Sequence, residues 1–153
     1  MKSLILFSLF VLFAAPICTK DKKKTTVKPV PELLKGTWFT ISDNIVYFDS
    51  ANNKVFETNN TPNSKYVIND KISRTDSTVR SNLSTSYTAT YVNGKNFITF
   101  TDNGSAQTFE ILQVDTKVMA WQLEKTNQMY NDNGQKTAAK MVYTINFKCP
   151  CRE

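Results

Sequence analysis

The sequence predicts an all-β protein in which an antiparallel up-and-down meander of about eight strands closes into a barrel. Three observations point to this fold. Asn-Gly dipeptides at Asn93, Asn103 and Asn133 mark tight turns, because both turn positions favour a positive φ. Apolar and polar residues alternate in the later strands, which is typical of half-buried antiparallel strands. So many strands must hide their edges, and a barrel does this better than a sandwich.

The length and composition indicate one domain without histidine chemistry. The chain has 153 residues, 41% of them hydrophobic, which is enough for one buried core without a disulfide scaffold. It contains 0 histidines. This excludes Ser-His-Asp and Cys-His catalysis, histidine-bound zinc or haem, and histidine-based pH switching.

Residues 1–18 have the pattern of an export signal. Lys2 precedes an apolar run that extends from Leu4 to Ala15, which is too short for a comfortable transmembrane span of about 20 residues. Cys18 stands where a bacterial lipoprotein signal places its lipidated cysteine, although Pro16 and Ile17 are not the small residues such signals prefer. We therefore predict lipidation at Cys18, with simple secretion as the alternative. The expected location is the bacterial cell envelope or outside the cell.

The net charge of +6 belongs mainly to a tether rather than to the barrel. Residues 1–18 carry +1, residues 19–28 carry +4, and residues 29–153 carry +1. Residues 19–31 are Lys-rich and contain Pro29 and Pro31, which is typical of a flexible linker. The barrel domain, residues 32–153, is nearly neutral, so no nucleic-acid partner is expected.

The expected elements follow the turn chemistry along the chain. A short helical turn is expected around residues 31–35, and residues 122–134 are the one weak candidate for an amphipathic helix. The predicted strands are residues 36–42, 44–50, 54–58, 65–69, 83–92, 95–101, 107–114, 117–125 and 138–148, and residues 71–74 either continue the fourth strand or begin another.

Two late strands each present one apolar face. In one of them the apolar face consists of Met119, Trp121 and Leu123, with polar or small residues between them. In the last strand the inward face is predicted to contain Met141, Tyr143, Ile145 and Phe147. Both patterns predict that these side chains point into the barrel.

The first strand opens with Gly36-Thr37-Trp38 after Leu33 and Leu34. In this the sequence resembles the lipocalin-like family, in particular the small barrel lipoproteins of bacterial envelopes. The resemblance covers about residues 32–148, by motif position, length and strand succession. It implies that Gly36 lets the chain enter the barrel tightly and that Trp38 plugs its closed end. It also implies a basic side chain over Trp38, with Lys148 and Arg152 as candidates.

Aromatic residues in the predicted strands are candidates for contacting a ligand. Tyrosine and tryptophan combine an apolar body with a polar tip that can orient a guest. The candidate ligand-binding residues are Tyr66, Tyr87, Phe97, Phe109, Trp121 and Tyr143. The alternative is that these side chains simply fill a small barrel.

The remaining motifs point away from catalysis. Cys149 and Cys151 are a possible disulfide, or free thiols, near the chain end, and two thiols alone make a poor metal site. The acids lie mostly in predicted turns, where they bond to local backbone, and no phosphate loop or nucleophile elbow is present. No catalytic residue, metal or cofactor is expected.

Together these observations predict an exported, lipid-anchored, monomeric protein that is not an enzyme. Its expected role is to bind a small hydrophobic or amphipathic ligand at the open end of the barrel. The expected partners are that ligand and, through the lipid anchor, the membrane. The alternative is a non-catalytic structural or interaction protein of the cell envelope with a filled barrel.

Overall fold

The computed structural model describes residues 30–76 and 81–150. The described part of the chain begins with one short helix, α1 (Val30–Leu34), and continues as strands. Pro31 lies in the first turn of α1, where its missing N–H removes no helical hydrogen bond. The strands are β1 (Gly36–Phe48), β2 (Lys54–Asn60), β3 (Ser64–Ile68), β4 (Ile72–Asp76), β5 (Ser81–Thr85), β6 (Tyr87–Val92), β7 (Lys95–Asp102), β8 (Ser105–Val114), β9 (Val118–Asn131) and β10 (Gln135–Lys148).

The strands form one antiparallel sheet that nearly closes into a barrel. Its hydrogen-bonded order is β5-β4-β3-β1-β10-β9-β8-β7-β6, and β2 also pairs with β1. The two terminal strands, β5 and β6, are consecutive in the chain with only Ser86 between them. The predicted all-β meander is therefore confirmed. The described residues form ten strands rather than about eight. The difference arises because β2 and β3 both pair with β1, and because the consecutive strands β5 and β6 pair with β4 and β7 respectively, so each of these two couples takes the place of one strand of the barrel.

The break between β2 and β3 has a local chemical cause. Pro62 carries no N–H and cannot continue the ladder with β1. The hydroxyl of Thr40 replaces the ladder at this point. Its oxygen accepts from the Ser64 N–H at 3.0 Å and lies 3.1 Å from the carbonyl oxygens of both Pro62 and Ser64. The hydroxyl of Thr40 thus holds the β2–β3 connection and the start of β3 against β1.

The first strand is longer than predicted. The sequence predicts two strands, residues 36–42 and 44–50, but β1 runs through both. The ladder between β1 and β10 instead shifts register between Thr40 and Ser42, and the side chain of Ile41 is 42% exposed. A bulge bends the strand here without ending it.

Strands β9 and β10 form the longest hairpin of the sheet. Residues 122–134, the weak helix candidate, are the upper part of β9 and the following turn, so that expectation is wrong. Their ladder runs from Val118 with Lys148 up to Asn131 with Gln135. The many ladder bonds between β9 and β10 outweigh the weak helical periodicity of the sequence in residues 122–134.

The core fills the lower part of the barrel, around the end where α1 lies. Leu34, Trp38, Ile68, Ile72 and Trp121 are each 0% exposed. Burial on this scale supplies the main stabilisation of a small domain. Among the described residues no helix is long and apolar enough to cross a membrane.

Candidate functional site

Trp121 stands at the centre of an aromatic cluster inside the barrel. Its ring centroid is 4.8 Å from that of Phe147, 5.7 Å from that of Phe109 and 5.8 Å from that of Tyr66. Phe100 stacks on Phe109 with centroids 5.6 Å apart. Tilted and edge contacts of this kind are the favoured arrangements of aromatic rings. The barrel is therefore filled at this level by its own side chains.

The structure brings four of the six predicted ligand-binding residues together. Tyr66, Phe109 and Trp121 are buried in the cluster, and Tyr143 is half-buried beside Phe109 at a centroid distance of 6.4 Å. Tyr87 packs against the edge of the core and its hydroxyl donates to the Asn69 carbonyl at 2.9 Å.

Phe97 is not part of this cluster. It lines a depression on the outer surface together with Lys95, Thr108 and Glu110. Its neighbour Ile98 is fully buried, so the alternation of β7 directs Phe97 outward.

A cavity of about 360 Å³, widely open to solvent, lies above the aromatic cluster at the open end of the barrel. We call it the mouth cavity. Its apolar side is formed by Ile45, Phe109, Leu123, Met141 and Tyr143. Its polar side is formed by Asp102, Asn103, Ser105, Gln107, Lys125 and Gln128. The lining therefore combines an apolar floor with a polar rim, and polar groups beside an apolar surface can orient a small molecule.

An inward ion pair lies at the level of the mouth cavity. Nη1 of Arg74 donates to Oδ2 of Asp102 at 2.7 Å, and Nη2 donates to Oδ1 at 3.2 Å. Arg74 faces the same side as its ladder partner Tyr66. Burial raises the pKa of the Tyr66 hydroxyl, and the positive charge of Arg74 opposes this rise. The pair therefore places a fixed, internally neutralised polar layer directly above the aromatic cluster.

Tyr143 is held by a second acid. Its hydroxyl donates to Oδ2 of Asp43 at 3.1 Å. Burial, and next the negative charge of Asp43, raise the pKa of Tyr143 well above its usual value. The phenol therefore stays neutral and acts as a hydrogen-bond donor at the wall of the mouth cavity.

Sequence reasoning did not find Asp43, Arg74, Asp102 or Lys125. The signal was present in β4, where period two places Ile72, Arg74 and Asp76 on one face although only Ile72 is apolar. A charged residue on a core-facing position is unusual unless it is paired. The partner, Asp102, lies 28 residues away, so the sequence alone does not identify the pair.

The wall beside the mouth cavity is split between β8 and β9. Ladder pairing between these strands covers Glu110 to Val114 with Met119 to Gln122 only. Above that point, among the described residues, residues 105–109 of β8 form no ladder pairs with residues 123–131 of β9. We call this opening the seam. The mouth cavity lies on its inner side, and the depression at Phe97 lies on its outer side.

The closed end of the barrel is built around Trp38. Trp38 is fully buried and its indole Nε1 donates to the Leu34 carbonyl at 2.8 Å, which fixes α1 under the barrel. Lys148 does not cover this ring. It pairs with Phe39 in the ladder, so it faces the opposite side from Trp38, and it is exposed. Arg152 lies outside the described residues.

The other predicted sites lie partly outside the described chain. The signal, Cys18 and most of the tether are in residues 1–29, and Cys151 is in residues 151–153. Cys149 is buried at the closed end and has no disulfide partner among the described residues. Among the described residues, no group of three or more cysteine, aspartate or glutamate side chains could hold a metal ion.

Comparisons of the chain with protein-family models, with curated proteins and with solved structures give no match. The lipocalin-like assignment therefore stays a prediction that rests on Gly36-Thr37-Trp38 and on the strand succession.

Proposed function

We propose that the protein binds a small apolar or amphipathic molecule in the mouth cavity, without catalysis. The observation that carries this proposal is the cavity itself, about 360 Å³ of space at the open end of a barrel whose lower part is filled. Phe109 and Tyr143 supply an apolar surface, and the polar rim can orient the guest.

A paired substitution tests whether the guest occupies the mouth cavity. Leu123→Trp places an indole in the cavity, whereas Leu112→Trp makes the same change at the outward bulge of β8, where the side chain is 47% exposed. We expect the neutral fluorescent probe N-phenyl-1-naphthylamine to bind the wild type and Leu112→Trp equally. It should bind Leu123→Trp at least about tenfold more weakly. Equal binding by all three proteins would overturn the proposal.

We also propose that the protein is exported and anchored to the envelope membrane by a lipid on Cys18. The support is the signal-like apolar run and the Lys-rich segment that follows Cys18. Mass spectrometry of the native protein tests this. An amino terminus at Cys18 with added acyl mass is the expected result, and an amino terminus at Cys18 without it would refute lipidation.

The second candidate is an interaction protein of the cell envelope. One observation favours it, a groove of about 560 Å³ on the outer wall at the β1 bulge. Phe39, Ile41, Pro62 and Pro150 give this groove apolar walls. Native mass spectrometry separates the two functions. A binding protein should retain or take up a small molecule, and a purely structural barrel should stay bare.

A further inference from the structure

Lys125 is an inward-facing cation of the mouth cavity that has no ion-pair partner among the described residues. Its ladder partner Met141 is 8% exposed and lines the same cavity. Lys125 is half-buried, and no carboxylate of the described chain lies within salt-bridge distance of its ammonium group. A partly desolvated ammonium without a counter-ion favours an anion beside it.

Asp102, which lines the mouth cavity, and Asp43, which accepts from the lining residue Tyr143, are already held by donors. Both carboxylate oxygens of Asp102 accept from Arg74. The two oxygens of Asp43 accept from the Tyr143 hydroxyl and from the Asn60 side-chain amide, at 3.1 Å and 2.9 Å. These acids are therefore held by fixed donors, and Lys125 carries the positive charge available to a guest.

Two amide side chains of the seam, Gln107 and Gln128, line the mouth cavity together with Lys125 and can also donate hydrogen bonds to a guest. Gln128 donates its amide to the carbonyl of Thr126 at 2.8 Å, and Gln107 makes a long 3.5 Å contact with the carbonyl of Ser105. Both amides cap carbonyls of their own strands at a point where the β8–β9 ladder is missing. They line the same cavity as Lys125, so a guest's oxygen atoms can be met by three side chains of the seam.

We propose that the guest is an amphipathic anion. Its carboxylate, sulfonate or similar group binds Lys125 in the seam, with Gln107 and Gln128 as supporting donors. Its apolar body lies on Phe109 and Tyr143. This inference rests on the proposed function of the mouth cavity and adds the chemical class of its ligand.

Three probes with the same ten-carbon chain test the headgroup: decanoate, 1-decanol and decylammonium, each titrated by calorimetry. We expect decanoate to bind about tenfold more tightly than 1-decanol, and decylammonium to bind most weakly. Lys125→Met keeps an apolar stem and removes the charge, so it should reduce decanoate affinity to that of 1-decanol. Lys125→Arg should retain the preference for decanoate.

Lys140→Met is the matched control. Lys140 lies on the neighbouring strand, where its ammonium contacts the Asn52 side chain at 2.6 Å and the Phe48 ring at 4.6 Å rather than the mouth cavity. The Lys140→Met variant should therefore bind decanoate, 1-decanol and decylammonium with the same affinities as the wild type.

The outcomes separate this inference from the proposed function. Equal affinity for decanoate and 1-decanol, a preference for decylammonium, or equal effects of Lys125→Met and Lys140→Met would overturn the anion assignment but leave mouth binding intact. Failure of the folded wild type to bind any of the three would overturn both. Circular dichroism of each variant confirms that the barrel is folded.

Discussion

Arg74 on β4 donates two hydrogen bonds, of 2.7 and 3.2 Å, to the carboxylate of Asp102 on β7. The two strands that end the sheet, β5 and β6, are the neighbours of β4 and β7. β4 is followed by β5, and β7 is preceded by β6, so the pair spans the point where the ladder is not closed. Both side chains are less than one-fifth exposed, at 19% and 18%. In the part of the chain that the structure describes, side chains rather than backbone ladder bonds thus close the barrel here.

Removing one member of this pair should destabilise the barrel. Arg74→Met leaves the Asp102 carboxylate partly buried without its two donors, and we expect a loss of about 2 kcal/mol in the free energy of unfolding. Urea unfolding measures this. The control is Lys95→Met, which breaks the exposed Lys95–Glu110 pair and should change stability little. Similar losses in both variants would show that Arg74 is not a closing contact.

The two buried tryptophans offer a measurement of one hydrogen bond. Trp38 and Trp121 are both 0% exposed, but only Trp38 has an Nε1 partner among the described residues, the Leu34 carbonyl. Replacing either by phenylalanine removes a similar volume. Trp38→Phe also removes the hydrogen bond to the Leu34 carbonyl, so it should cost about 1–2 kcal/mol more than Trp121→Phe in chemical unfolding. A larger cost for Trp121→Phe would contradict this assignment.

The features that could be predicted from sequence are those set by neighbouring residues. The Asn93-Gly94 and Asn103-Gly104 turns have positive φ at all four residues, as the dipeptides demand. The alternation around Trp121 correctly predicts which side chains are buried, because period two depends only on the strand conformation.

What could not be predicted depends on how distant segments meet. Residues 83–92 read as one strand, but pairing with β4 on one side and β7 on the other divides them at Ser86. The seam depends on where β8 and β9 separate, and the Arg74–Asp102 pair depends on barrel closure. Local pattern carries no signal for these arrangements, so the mouth cavity could be placed at the open end but its polar residues could not be named.

The hydroxyl of Thr40 should contribute to stability because it replaces missing ladder bonds. Thr40→Val keeps the shape of the side chain and removes the oxygen that lies between Pro62 and Ser64. The Ser64 N–H then loses its acceptor in a residue that is 5% exposed, which should cost about 2 kcal/mol in thermal or urea unfolding. Thr99→Val is the control. Its hydroxyl bonds the Thr108 hydroxyl on the exposed face, so its loss should be smaller.

Alkaline pH should weaken the fold through its buried phenols. Burial raises the pKa of Tyr66 and of Tyr143 in the folded protein. An unfolded tyrosine has a pKa of about 10. The stability that comes from keeping these phenols neutral is therefore complete below about pH 10 and is lost as the pH rises toward the folded values, because the unfolded chain then binds fewer protons. Urea unfolding between about pH 9 and pH 11 should show a falling free energy of unfolding.

The Tyr66→Phe and Tyr143→Phe variants test whether these two phenols carry that dependence. Each variant removes one phenol whose pKa differs between the folded and the unfolded protein. The free energy of unfolding should therefore fall less steeply with pH than in the wild type. Tyr143→Phe also loses the bond to Asp43, which should lower stability at neutral pH by about 1 kcal/mol. Tyr91→Phe, at a side chain that is 71% exposed, controls for the loss of a phenol. If it flattens the pH dependence as much as Tyr143→Phe does, burial of Tyr143 is not the cause.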